Sequence, residues 1–284
     1  MARLKEAWGE FQHHRSGVIG LLILAVVVLL AAFAPVLFPA EMLDVTKLSN
    51  ALNAPPSAEF PLGTDPLGRS VLALLVWGGR ASLLVGFAAT LVSMVIGTAM
   101  GMAAGHFTGM TQAVLMRIID FFLVVPSLVL AIVLSSVLGA GVGTIIIAIG
   151  VTSWASTSRL VRSQTLTVES RGYIERSWAL GASDGHIIVK HVLPSVMPLV
   201  LANTTLTVGS AIISESTLSF LGLGDPTTVS WGSMLKSALD TGAATAGYWW
   251  YVLPPGIAIV IVVLAFTLVG RALEAVVNPT LRGR

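Results

Sequence analysis

The chain has 284 residues, of which 55% are hydrophobic and only 11% charged, and its mean hydropathy is +0.88. An average soluble domain carries about 25% charged residues, so the composition excludes a soluble protein and indicates an integral membrane one. The net charge of +2 is too small for a nucleic-acid partner, and the absence of cysteine removes disulfide frameworks, thiol catalysis and cysteine-based metal sites.

Six apolar stretches, near residues 17–38, 81–105, 119–139, 142–160, 194–221 and 251–270, are long enough to cross a hydrocarbon core of roughly 20 helical residues. They lack period-two alternation, and a lipid-exposed backbone must satisfy its own hydrogen bonds, so helices rather than barrel strands are expected. The fold class is all-α integral membrane, a bundle of six transmembrane helices. The first span follows a basic N-terminus and contains Ala32-Phe33-Ala34, a small-x-small pattern. Its apolar run exceeds a signal-peptide core and Pro35 would follow the cut, so it is expected to be a retained helix.

The segment behind it is rich in Pro and Gly, with Asp65 and Arg69 placed to pair across a turn and Trp77 and Arg80 placed to anchor the second helix at an interface. On that helix Gly97, Gly101 and Gly105 form a double small-xxx-small ridge suited to close helix contact. Asp120 opens the third span three residues from Arg117, which predicts an interfacial ion pair between them. Pro126, Pro194, Pro198 and the Pro254-Pro255 pair weaken or kink helices where a hinge could sit. Glu215 falls about 31 Å along a straight helix from Pro194, near the outer mouth, where it could line the entrance or pair with neighbouring loops; Ser219 and Phe220 share this region. Tyr248 to Tyr251 reads as an aromatic belt.

Lys and Arg set the orientation. With a cytoplasmic N-terminus only Lys47, Arg69, Arg80 and Lys236 lie outside, and the other twelve lie inside. Both termini and the 161–193 loop are then cytoplasmic, and the 39–80 and 222–250 segments face the other side. Residues 1–80 form a tail, first helix and external loop; residues 81–284 form a core of five helices.

The polar stretch 171–190 stands out between apolar spans. Tyr173, Ile174, Ser177 and Trp178 fall at i, i+1, i+4 and i+5 of a short helix and give one partly aromatic face. Gly181 is a natural helix stop, and Ser183 the cap of a second short helix running toward His191. Such an elbow makes a rigid knob; a helix resting on lipid headgroups is the alternative. His186 and His191, five apart, fall off a common α-helical face, and no HExxH occurs; His13 and His14 read as headgroup-facing. No phosphate loop of the form GxxxxGK[ST] is present, so ATP hydrolysis cannot be placed on this chain.

Glu175-Arg-Ser-Trp-Ala-Leu-Gly181, continuing to Pro194, resembles the EAA motif of ABC-importer permeases, with Arg176 and Ser177 in place of the two alanines. Phe60-Pro-Leu-Gly-Thr-Asp-Pro-Leu-Gly-Arg-Ser70 and Trp77-Gly-Gly-Arg-Ala-Ser-Leu-Leu-Val-Gly86 resemble the signature before the second helix of C-type permeases of oligopeptide, dipeptide and nickel importers. Ser70 stands there in place of Asp and Gly79 in place of Ala. Glu215-Ser-Thr-Leu-Ser-Phe-Leu-Gly-Leu-Gly224 with Ser230-Trp-Gly-Ser-Met-Leu235 is similar to the block that closes their fifth helix.

The resemblance implies a type I ABC-importer permease in a prokaryotic inner membrane, passing di- or oligopeptides and bearing no cofactor or metal. It implies coupling to an ATPase through Tyr173, Ile174, Glu175, Ser177, Trp178, Ala179, Gly181, Ala182 and Ser183, with ATP and Mg on the partner subunits. The implied partners are a second homologous permease, two cytoplasmic ATPases, an extracytoplasmic substrate-binding protein and membrane lipid. A nickel or other small-solute permease, or an ATP-independent transporter or channel, stand as alternatives.

Overall fold

A computed structural model of the chain describes residues 9–47 and 50–277. Its principal helices are α1 (Arg15–Ala32), α2 (Val71–His106), α3 (Gly109–Val124), α4 (Ser127–Leu138), α5 (Val142–Thr152) and α6 (Ala155–Glu169). They continue as α7 (Gly172–Ala179), α8 (Asp184–Ile187), α9 (Leu193–Phe220), α10 (Trp231–Asp240) and α11 (Trp249–Val277). The described residues contain no β-strand, only an isolated bridge between Thr64 and Ser70.

Four uninterrupted helical stretches are long and apolar enough to span a membrane: α1, α2, the run from Asp184 to Phe220, and α11. The other two predicted spans are bent pairs. α3 and α4 meet at 88°, and α5 and α6 at 42°. The first break sits at Pro126, which has no N–H to donate and disfavours helical geometry in the residue before it; Val125 is accordingly extended, with φ −74° and ψ 125°. The 119–139 stretch is therefore not one straight rod. The expected loop 161–193 is also largely helical, because α6 runs on to Glu169.

α2 starts at Val71, ten residues before the expected boundary, and crosses positions 80 and 81 unbroken. Ser70 caps it by accepting from the Ala73 N–H. Trp77 and Arg80 thus sit inside the helix, with the Arg80 guanidinium 5.1 Å from the Trp77 ring centroid and the Trp77 indole donating to the Phe38 carbonyl. Before the helix, Asp65 is fully buried. Its Oδ1 accepts from the backbone N–H groups of Leu67 and Arg69, and its Oδ2 from Arg69 Nε at 2.8 Å and Nη2 at 2.7 Å. The expected pair exists, and it staples the turn shut with charge-assisted bonds.

α2 is the central helix, packed on α6, α9, α5 and α1. The Gly97-Gly101-Gly105 ridge faces α6: a Cβ at each position would meet Trp154 and Thr157, Ser158 and Val161, or Thr165 and Arg162 at 2.6 to 3.2 Å. Missing side chains let the backbones touch, so that Ser158 Oγ donates to the Gly97 carbonyl at 2.9 Å. α1 docks in the same way, its Gly17 and Gly20 seated on Ala272 and Ala265 of α11. Tyr251 is buried in the core shared by α1, α2, α9, α10 and α11, whereas Trp249 is exposed; the expected aromatic belt is therefore broken by one inward residue.

Asp120 pairs with Arg159 of α6 at 2.7 Å rather than with Arg117. Three residues along α3 do not decide the partner, because α6 crosses α3 and brings a guanidinium to the carboxylate.

Candidate functional site

At the end of the bundle where α2 finishes, α7 and α8 form the elbow anticipated from the polar stretch. α7 ends in a Schellman motif: the Ala182 N–H donates to the Ser177 carbonyl at 3.0 Å and the Gly181 N–H to the Trp178 carbonyl at 2.9 Å. This closure places Gly181 at φ +82°, with open space around it. Ser183 occupies the N-cap position of α8 in extended geometry, without a side-chain capping bond. Glu175 lies in the first turn of α7, where its charge complements the helix dipole.

The elbow is anchored by its apolar inward residues. Ile174 and Ile187 are buried together with Met94, Val161, Val168 and Val196, and Ala182 packs beside them. Ile174 is thus turned into the bundle and away from the outward face. Tyr173, Glu175, Trp178, Ala179 and Ser183 are exposed, and Ser177 is half-buried. The most exposed apolar side chain of the elbow is Leu180, at 88%, which the sequence reading passed over. Arg176 and Ser177 bond back along their own helix, to the carbonyls of Gly172 and Tyr173.

α8 runs into α9 through a π-helical turn, Ile188–Val192. The wider turn brings residues five apart onto one side, and the rings of His186 and His191 lie 5.7 Å apart. This corrects the expectation that their spacing separates them. Tyr173 lies 5.8 Å from His191, and Ser177 Oγ is 3.5 Å from its Nε2. Among the described residues no group of three or more His, Asp or Glu is disposed to hold a metal.

His106, the last residue of α2, ties the elbow to the bundle. Its Nδ1 donates to Glu169 Oε1 at the end of α6, and its Nε2 lies 3.5 Å from Asp184 Oδ1 at the start of α8. Its ring stacks on Trp178 of α7, with centroids 6.0 Å apart and planes at 18°. One buried imidazole therefore touches three elements of the elbow region. No spacing rule pointed to it, since its partners lie 63, 78 and 72 positions away along the sequence.

At the other end of α9, Glu215 is 2% exposed. Its Oε2 accepts from Ser82 of α2 at 2.8 Å and from Ser216, and its Oε1 from Ser219 at 2.8 Å. Ser82 Oγ in turn accepts from the Trp231 N–H. Glu215 therefore joins α2, α9 and α10; Ser219 is buried with it, while Phe220 is on the surface.

The family model described as binding-protein-dependent transport system inner membrane component matches residues 93–283. The chain belongs to this family. A second family model, the N-terminal TM domain of oligopeptide transport permease C, matches residues 3–56 of this transport-system inner membrane component. The oligopeptide transport system permease protein OppC of Bacillus subtilis (strain 168) is 37% identical over 279 residues, covering 98% of this chain and 90% of the relative. The di/tripeptide transport system permease protein DppC of Pseudomonas aeruginosa (strain UCBPP-PA14) is 36% identical, covering 98% and 93%. The chain also shares its fold with a solved structure titled as inward-facing conformations of the MetNI methionine ABC transporter. Its TM-score is 0.58 at 22% identity, over 72% of this chain and 96% of that one. The inner membrane component is thus a multi-pass, helical transport subunit of the type I permease fold.

Proposed function

We propose that this chain is the C-type permease subunit of an ATP-driven importer of di- and oligopeptides. It forms half of a translocation path with a second, homologous permease and receives substrate from an extracytoplasmic binding protein. Two cytoplasmic ATPases carry the ATP and Mg, and one of them docks on the 171–190 elbow of this subunit. The relatives matched over nearly the whole chain are named for oligopeptides and dipeptides, and these similarities favour peptides over nickel. The asymmetry of Lys and Arg supports a cytoplasmic elbow and cytoplasmic termini.

The observation that carries the reading is the elbow itself. Trp178 and Leu180 are held outward by the Schellman closure at Gly181, while Ile174 and Ile187 fix the knob to the bundle. An exposed apolar knob, mounted rigidly, transmits a push from a docked subunit into α2, α6 and α9. The mechanism is mechanical: ATP binding closes the ATPase pair, the elbow is displaced, and the helices swing between inward and outward access.

The test is peptide uptake and ATP hydrolysis by the complex reconstituted in vesicles with its binding protein. Trp178→Ala removes the larger aromatic contact. Gly181→Val places a β-branched residue at positive φ, a strain of about 1–2 kcal/mol or more. Both variants should insert and both should lose substrate-driven transport. Wild-type uptake with a wild-type ATPase response in both would leave the elbow as a headgroup-resting helix.

A further inference from the structure

A groove of about 450 Å³ runs between α2, the α3–α4 break, the α5–α6 break and α9. Thr90 and Ser93 of α2 line it opposite Asn203, Thr207, Ser210 and Ser214 of α9. These four fall at i, i+4, i+7 and i+11, one continuous polar stripe along the side of α9 that faces the groove. Serine and threonine can satisfy themselves on their own helix carbonyls, so it is the Asn203 amide together with the facing Thr90 and Ser93 that mark the groove as polar. No Asp, Glu, Lys, Arg or His lines the groove.

The hydrogen-bonding state of these groups narrows what they can hold. Thr207, Ser210 and Ser214 donate their hydroxyl protons to the carbonyls of Asn203, Leu206 and Ser210, which leaves their oxygens as acceptors. Asn203 donates to Thr157 Oγ1 at 3.2 Å. Across the groove, the Oγ1 of Thr90 and Oγ of Ser93 are buried, with each residue 1% exposed, and have no hydrogen-bond partner. Unpartnered buried hydroxyls beside an open polar groove are groups prepared for a visitor. The N-terminal end of α4 and the C-terminal end of α5 both border the groove and bring partial charges of opposite sign, so neither sign is favoured overall.

We infer that this groove is the stretch of solute path contributed by this subunit, and that it contacts peptides through uncharged hydrogen bonds to their main-chain N–H and C=O groups. This rests on the peptide-import reading and deepens it. Main-chain groups are common to all peptides, so hydroxyl and amide contacts accept any side chain. A fixed charge would hold oppositely charged cargo and repel the rest. A neutral lining therefore leaves charge selection to the binding protein and keeps the path indifferent to it.

The experiment uses the whole importer, with ATPases and binding protein, in vesicles. Uptake of Ala-Asp, Ala-Ala and Ala-Lys is measured for wild type, Ser210→Asp and Ser210→Lys, and each peptide is scored as the ratio of variant to wild type so that the binding protein's own preference cancels. Ser210→Asp should depress Ala-Asp uptake about tenfold relative to Ala-Lys, and Ser210→Lys should reverse the order. To charge the groove after assembly, Ser210→Cys in this cysteine-free chain is modified with anionic or cationic methanethiosulfonate of like size, and the same opposite shifts should appear. Equal ratios for all three peptides in both formats overturn the inference. If the wild-type complex imports none of the three, the peptide-import reading fails instead.

Discussion

Replacing Gly101 by Ala tests the helix contact that sets the whole arrangement. An ideal Cβ there would lie 2.6 Å from the Ser158 carbonyl oxygen and 2.8 Å from Val161 Cβ. Carbon pairs pack best at about 3.5–4.0 Å, so α2 and α6 must part by ~1 Å at their crossing, since neither a carbonyl nor a Cβ can rotate away. Overpacking of this kind costs about 1–3 kcal/mol. The parting also stretches the Ser158 to Gly97 bond, a loss of about 0.5–1.5 kcal/mol, against a gain of about 1 kcal/mol in helix propensity over Gly. The net destabilisation is about 0.5–3.5 kcal/mol. Reversible unfolding of the detergent-solubilised protein measures it, with Gly256→Ala as control, because a Cβ at Gly256 meets nothing within 4 Å. A Gly101→Ala protein as stable as the Gly256→Ala protein would refute the close-contact argument.

Removing the imidazole at the end of α2 should uncouple the elbow: His106→Ala in the assembled importer is expected to keep basal ATP hydrolysis while peptide uptake falls about tenfold, with His106→Gln recovering part of it. Equal loss of both activities would make His106 a folding residue and no link in transmission. In the loop after α9, the Asp225 carboxyl is held below the usual carboxylate range, first by the Thr227 hydroxyl and then by its backbone N–H, at 2.6 and 2.8 Å. A depressed folded pKa means that the loop's stabilisation is complete above the unfolded value of about 3.9 and is lost as pH falls through the lower folded one. An NMR titration of the Asp225 carboxyl carbon that gives an ordinary or raised value would contradict this; acid should also increase proteolytic cleavage at 221–230, and Asp225→Asn should remove that pH dependence.

Composition and local pattern determined the membrane class, the number of apolar stretches, the small-residue ridge on α2, the Asp65–Arg69 turn and the helix-Gly-helix elbow. Each depends on residues close in sequence: about 20 apolar residues reach across a bilayer wherever they occur, and a glycine at a helix end permits positive φ without help from the rest of the chain. Packing decided the remainder. Which guanidinium meets Asp120, which side of α7 turns inward at Ile174, and which serines surround Glu215 depend on helices tens of residues apart crossing at a given angle. The α9 stripe of Asn203, Thr207, Ser210 and Ser214 was legible as a period, but only the neighbouring breaks at Pro126 and Ser153 open a groove beside it. His106 gave no local signal at all, because a histidine at a helix end acquires its role from the carboxylates and the indole that the tertiary fold brings to it.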